Sequence, residues 1–167
     1  MERDGSALLH PAVSERLSAS GMSFAVLPCD PALADTAAFC DRYGYAHAEA
    51  GNAIVVVGKG EPLKYVCCVI LATCKLDVNK KVSALMGVKR CSFASAMETR
   101  ELTGMEIGGV TPVGLPDDMP VYVDARIFAG ERVVVGGGNR SSKLVLKPAE
   151  LLKLANVTAV EGLGLLR

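Results

Sequence analysis

The chain has 167 residues, half of them hydrophobic, and its 18 Lys and Arg are matched by 18 Asp and Glu. A chain of this size buries a core without staples, and the composition excludes disorder. Zero net charge opposes a grip on long nucleic acid through its phosphates, and the absence of Trp with few other aromatics opposes a base-stacking platform.

Leu9, Val13 and Leu17, four residues apart, predict a short amphipathic helix over 10–20 that stops at Gly21. Residues 23–27 read as a strand. Asp35 and Thr36 open a second helix through Phe39, Cys40 and Tyr43, closed by Gly44. Two β-branched, apolar runs, 53–57 and 64–72, flank the turn-forming 58–62 and predict a β-hairpin. Both are apolar at every position, the mark of strands covered on both faces. Asp77 caps a helix over 78–86, with Val78, Val82, Leu85 and Met86 inward and Lys80 and Lys81 outward. Ser95 and Glu98 form a capping box for a helix ending near Gly104.

Three glycines and two prolines then fall within nine residues, from Gly108 to Pro116. Glycine permits close backbone approach and proline holds one shape, so this is a stiff, side-chain-poor loop. Strands over 120–124, 132–135 and 143–146 follow, the last after the turn Gly136-Gly137-Gly138-Asn139-Arg140. Pro148 opens a final helix over 149–154. The tail after Asn156 carries little signal. Irregular interleaving and tight hairpins predict a single α+β domain over 1–167, a mixed, largely antiparallel and partly barrel-like sheet surrounded by helices.

Chemical candidates are few. Cys29, Cys40, Cys67, Cys68, Cys74 and Cys91 form no Cys-x-x-Cys pair, and with no signal peptide ahead of them they read as buried hydrophobes of a reducing cytosol. No apolar run approaches the ~20 residues of a membrane span. The glycine turn at Gly136 fails as a phosphate loop, since a strand rather than a helix follows it. His10 and His47 read as surface histidines without a nucleophile nearby, and Asp124 either orients a partner or caps a turn. A reaction here must rely on backbone groups, water or the substrate itself.

Asp77-Val78-Asn79-Lys80-Lys81, Ala94-Ser95 through Glu101-Leu102-Thr103-Gly104, the Gly108–Gly114 loop, Pro120-Val121-Tyr122-Val123-Asp124 and the turn at Gly136 stand in the order found in the YbaK/EbsC family. The chain resembles that family over 23–154. The family includes free-standing aminoacyl-tRNA deacylases and is similar to the editing domain of bacterial prolyl-tRNA synthetases. The resemblance implies a cytoplasmic hydrolase that cleaves the ester between a mischarged small amino acid and the 3′-terminal adenosine of tRNA. Its partner is then the tRNA acceptor end, with no metal, cofactor, membrane or specific DNA partner. By the same resemblance Gly108, Gly109, Val110, Thr111, Pro112 and Gly114 wall the substrate pocket, with Gly109 in the backbone that holds the reacting carbonyl. Gly136, Gly137, Gly138 and Asn139 form a second wall, and Phe24, Ile54 and Met105 are candidates for setting the pocket's volume.

The family's deacylases carry a lysine at the start of the strand containing Ala53–Val56, and Asn52 stands there in this chain. Asparagine donates a hydrogen bond but brings no positive charge to a developing oxyanion, a loss that typically costs on the order of 10²–10³ in rate. Lys59 and Lys64 flank the hairpin and reach inward only in a different register. Two readings follow: a deacylase with a variant pocket, or a protein of the same fold that binds an aminoacyl end without cleaving it. A lysine amine inside the pocket separates them.

Overall fold

The computed structural model describes residues 6–167. The first helix, α1 (Pro11–Ala19), buries Val13 and Leu17. His10 is its N-cap, accepting from the Ala12 N–H at 3.1 Å through Nδ1. This half-buried cap replaces the surface histidine expected there. β1 (Ala25–Pro28) leads to α2 (Thr36–Tyr43), which ends at Gly44 in the left-handed region that glycine favours.

The predicted hairpin forms the centre of the molecule. β2 (Gly51–Gly58) and β3 (Lys64–Leu71) pair antiparallel along their whole length. Alternate residues feed two separate cores: Val55, Cys67 and Val69 face one, and Val56, Val66, Cys68 and Ile70 the other. Cys67 and Cys68 thus point to opposite faces, as strand geometry requires. With apolar packing on both sides, uninterrupted hydrophobicity is what these strands need.

β4 (Cys74–Leu76) leads to the Asp77-capped segment, which differs from a plain helix. Val78–Val82 is wound as a π-helix, and only Ser83–Met86 (α3) is α-helical. The Asp77 side chain holds the Lys80 N–H, and the Val82 N–H reaches back five residues to the Asp77 carbonyl. β5 (Cys91–Phe93) precedes α4 (Ala96–Thr103), where Ser95 and Glu98 make the predicted reciprocal capping box, each bond 3.0 Å.

β6 (Val121–Asp124), β7 (Val133–Gly136) and β8 (Ser142–Leu146) lie where expected. The final predicted helix is a 3₁₀ segment, Pro148–Lys153. The weakly specified tail is structured. β9 (Val157–Val160) adds in parallel to β6, and β10 (Gly164–Leu166) pairs with β4.

The strands form a five-stranded sheet, β5-β2-β3-β6-β9, a three-stranded sheet, β1-β8-β7, and the pair β10-β4. Pairing is mixed: β3-β6 and β6-β9 are parallel and the rest antiparallel. The sheets stay open rather than closing into the partial barrel expected. A bridge between Ala50 and Val134 stitches the two larger sheets where β2 begins. That junction positions the site. Among the described residues, no helix is long and apolar enough to cross a membrane.

Candidate active site

A cleft of about 300 Å³ opens where the two larger sheets meet. β2 lends it Asn52 and Ile54, the start of α2 lends Asp35 and Thr36, and α4 lends Thr99. Gly108 and Val110 come from the glycine-proline loop, Gly136 from the end of β7 and Lys143 from β8. The Thr36 hydroxyl donates to Asn52 Oδ1, which orients the amide and leaves its NH₂ as donor.

The two glycine-rich segments pack backbone to backbone. Gly138 N–H donates to the Gly109 carbonyl at 2.7 Å. A Cβ at Gly136 would overlap the Gly109 and Val110 carbonyls, and one at Gly109 would overlap the Asn139 backbone. Glycine is required at both positions because main chains touch there. Asn139 organises the turn, its Oδ1 accepting from Ser141 N and Oγ and from Ser142 Oγ while its NH₂ donates to the Leu8 carbonyl. Arg140 clamps the rim, donating to the Pro31 and Ile107 carbonyls and pairing with Asp35 at 3.2 Å.

Lys143 is the group that sequence reasoning missed. It is 5 % exposed, although it lines the cleft. Its Nζ donates to the Ala34 carbonyl at 2.6 Å and the Gly108 carbonyl at 2.9 Å, and stands 5.4 Å from the Phe39 ring centroid. In the β7–β8 register its partner is Gly136, which presents no side chain to obstruct the lysine stem. Burial pulls its ammonium below the ordinary lysine range, with Asp35 among the groups that oppose the shift. The available signal was strand alternation: Leu144 and Leu146 share one face, which places Lys143 on the other, with Val145.

Of the residues singled out from sequence, Asn52, Gly108, Val110 and Gly136 are brought together at the cleft. Gly109, Gly138 and Asn139 do not line it but join the two loops, while Gly137 packs on Ser142 and accepts from His10 N–H. Thr111 and Pro112 are buried, and Gly114 packs on the Ala12 carbonyl of α1. Ile54 lines the cleft, whereas Met105 is fully buried in the core and Phe24 packs against it. Lys59 and Lys64 are exposed at the hairpin and do not line it. Asp124 is fully buried elsewhere, capping Ala125–Ala129 and accepting from Gly164 N–H at 3.0 Å. His47 is half-buried, with Nε2 3.5 Å from the Asp41 carboxylate. Among the described residues, no group of His, Cys, Asp and Glu is placed to hold a metal ion.

A small open α+β domain with a polar cleft between two sheets, walled by paired glycine loops, defines the class. The chain belongs to the aminoacyl-tRNA editing domain family, whose model matches residues 30–154. It is 26 % identical over 148 residues to the multifunctional Ser/Thr-tRNA deacylase ProXp-y of Escherichia coli (strain K12), covering 87 % of each chain. It is 38 % identical over 93 residues to the uncharacterized protein YwhH of Bacillus subtilis (strain 168), a match spanning 56 % of this chain and 58 % of that one. Its fold superposes with TM-score 0.78 and 26 % identity on the crystal structure of a proposed trans-editing enzyme for prolyl tRNA synthetase, covering 92 % of this chain and 97 % of the other.

Proposed function

We propose that this protein is a free-standing aminoacyl-tRNA deacylase, hydrolysing the ester between a small amino acid and the 3′-terminal adenosine of tRNA. The observation that carries the reading is the cleft of an editing-domain fold holding a lysine amine beside Asn52 and the Gly108 loop. A cavity of about 300 Å³ sits at the small end of ligand sites, which suits a small aminoacyl group. The binding-only reading rested on a cleft without positive charge, and Lys143 removes that premise.

In the reaction, a water oxygen bonds to the ester carbonyl carbon and the carbonyl oxygen takes up negative charge. The bond from that carbon to the ribose oxygen then breaks, and a proton from the water passes to that departing oxygen, which becomes the free ribose hydroxyl while the water oxygen stays in the released carboxyl group. Donors held in place before the charge develops lower this barrier most. Asn52 NH₂ is one such donor at the cleft. The Gly108 carbonyl is occupied by Lys143 and the Gly109 carbonyl by Gly138, so the loop acts as a rigid wall.

ProXp-y, the Ser/Thr-tRNA deacylase, guides the choice of substrates, and Thr36, Asn52 and Thr99 give the cleft groups that can bond a substrate hydroxyl. The test is hydrolysis of purified Ala-, Cys-, Ser-, Thr- and Pro-tRNA. Selective turnover is expected, with Ser-tRNA and Thr-tRNA at least as fast as Ala-tRNA. No hydrolysis of any ester above the uncatalysed rate would overturn the reading.

A further inference from the structure

We propose that Lys143 is the cleft's cationic substrate contact, its ammonium donating from β8 to the carbonyl oxygen of the bound aminoacyl ester. The inference rests on the deacylase reading above and adds the group that meets the developing charge.

A lysine retained only to brace a fold is best paired with a carboxylate, because that neutralises the charge it buries. Lys143 takes part in none of the ion pairs among the described residues. Both of its partners are neutral backbone carbonyls, Ala34 and Gly108, so its positive charge remains in the cleft. An ammonium has three N–H donors, and no acceptor among the described residues takes the third. A buried donor left unmade is costly, and the cost falls when a ligand oxygen arrives.

Position supports the same role. The two anchored donors fix the ammonium against the Gly108 wall, with the Phe39 ring on another side. Lysine stems carry much rotamer freedom, and here it is already lost before substrate enters. The charge is therefore preorganised in the same cleft as the Asn52 amide, whose NH₂ is also a donor. As water adds to the ester carbon, the carbonyl oxygen becomes an oxyanion, and a fixed ammonium binds it more tightly than it binds the ground-state carbonyl.

The experiment compares wild type, Lys143→Met and Lys143→Met/Asn52→Lys in deacylation of the preferred aminoacyl-tRNA. Binding of a non-cleavable amide analogue, 3′-aminoacylamino-3′-deoxyadenosine, and thermal unfolding are followed in parallel. Lys143→Met is expected to lower kcat/KM on the order of 10²–10³-fold. The double variant is expected to regain at least roughly tenfold, because it returns an ammonium to the cleft without restoring the bonds to Ala34 and Gly108. That recovery separates charge from bracing. In wild type, the ¹⁵N resonance of Lys143 Nζ is expected to shift on adding the analogue, a readout that survives if the methionine variant does not fold.

Activity of Lys143→Met within about threefold of wild type would overturn the proposal. So would a loss that follows unfolding with no recovery in the double variant and no Nζ shift. A wild type that binds the analogue through Lys143 yet cleaves no ester sinks the hydrolase reading and keeps the contact. A wild type that neither binds nor cleaves sinks both.

Discussion

Lys143 sets the chemistry of the cleft through its surroundings. Its folded pKa lies below the ordinary 10.5 because burial disfavours the ammonium. Between the folded value and 10.5 the unfolded chain binds the proton and the folded chain does not, so stability rises with pH across that window. Activity has the opposite sign. If the ammonium meets the carbonyl oxygen, kcat/KM for deacylation falls as pH rises through the lowered pKa, at a lower pH than that at which an ordinary lysine titrates. Lys143→Arg, which stays charged, should flatten that alkaline limb whatever its effect on the absolute rate. Rates corrected for uncatalysed ester hydrolysis check this, and an unchanged limb in the arginine variant would count against the assignment.

At the scale of elements, two joints hold the fold together, one closing main chain on main chain beside the cleft and the other closing through buried side chains. One is the meeting of the glycine loops, where Gly136 lies on the carbonyls of Gly109 and Val110. The other is the tail. Buried Asp124 accepts from Arg126 N–H and Gly164 N–H, while the Arg126 guanidinium donates to the Gly164 carbonyl at 2.7 Å. This pair fastens β10 and, through it, β4. Asp124→Ala leaves a buried N–H without its charged acceptor and should cost about 2–3 kcal/mol, or roughly 5–10 °C in Tm. Asp124 does not line the cleft, so KM and kcat below the unfolding transition should hold near wild type. Denaturant and activity curves on one preparation test both halves.

For the whole molecule, zero net charge hides an uneven distribution. Residues 59–90 hold Lys59, Lys64, Lys75, Lys80, Lys81, Lys89 and Arg90 against only Glu61 and Asp77. All seven basic residues are at least partly exposed. The β2–β3 turn and the Arg90 region are joined directly, Lys59 N–H donating to the Arg90 carbonyl. If the proposed substrate docks over this basic segment, its phosphates are attracted there rather than to the rest of a neutral protein. KM for aminoacyl-tRNA should therefore rise with salt. Lys89→Glu/Arg90→Glu should raise it further while leaving hydrolysis of a short aminoacyl-adenosine ester unchanged. Equal effects on both substrates would place the tRNA elsewhere. The six cysteines are all buried and unpaired, with Cys67 pushed up to about 12 by burial, so they belong to the cores rather than to chemistry.

Local rules were enough for much of this protein. Side-chain periodicity, the capping box at Ser95 and the glycine stops after α2, α3 and α4 fix most elements, and motif order fixes the family. That Gly108–Gly114 is a stiff, side-chain-poor wall was legible from its glycines and prolines, but that Gly136 packs on the Gly109 carbonyl was not, since nothing local pairs the two loops. Asn52, singled out through the family resemblance alone, lines the cleft, and its role there is a proposal. Tertiary structure decided what local rules do not encode. β9 and β10 exist because β6 and β4 offer edges to them, and their exposed residues carry no pattern of their own. In sequence Lys143 is only the first position of a predicted strand; β8 packing beside β7 and opposite Phe39 makes it a buried group of the cleft. Its burial, its two carbonyl partners and its charge in the cleft come from three stretches distant in sequence, around 34–39, 108 and 136–143, brought together only by the fold.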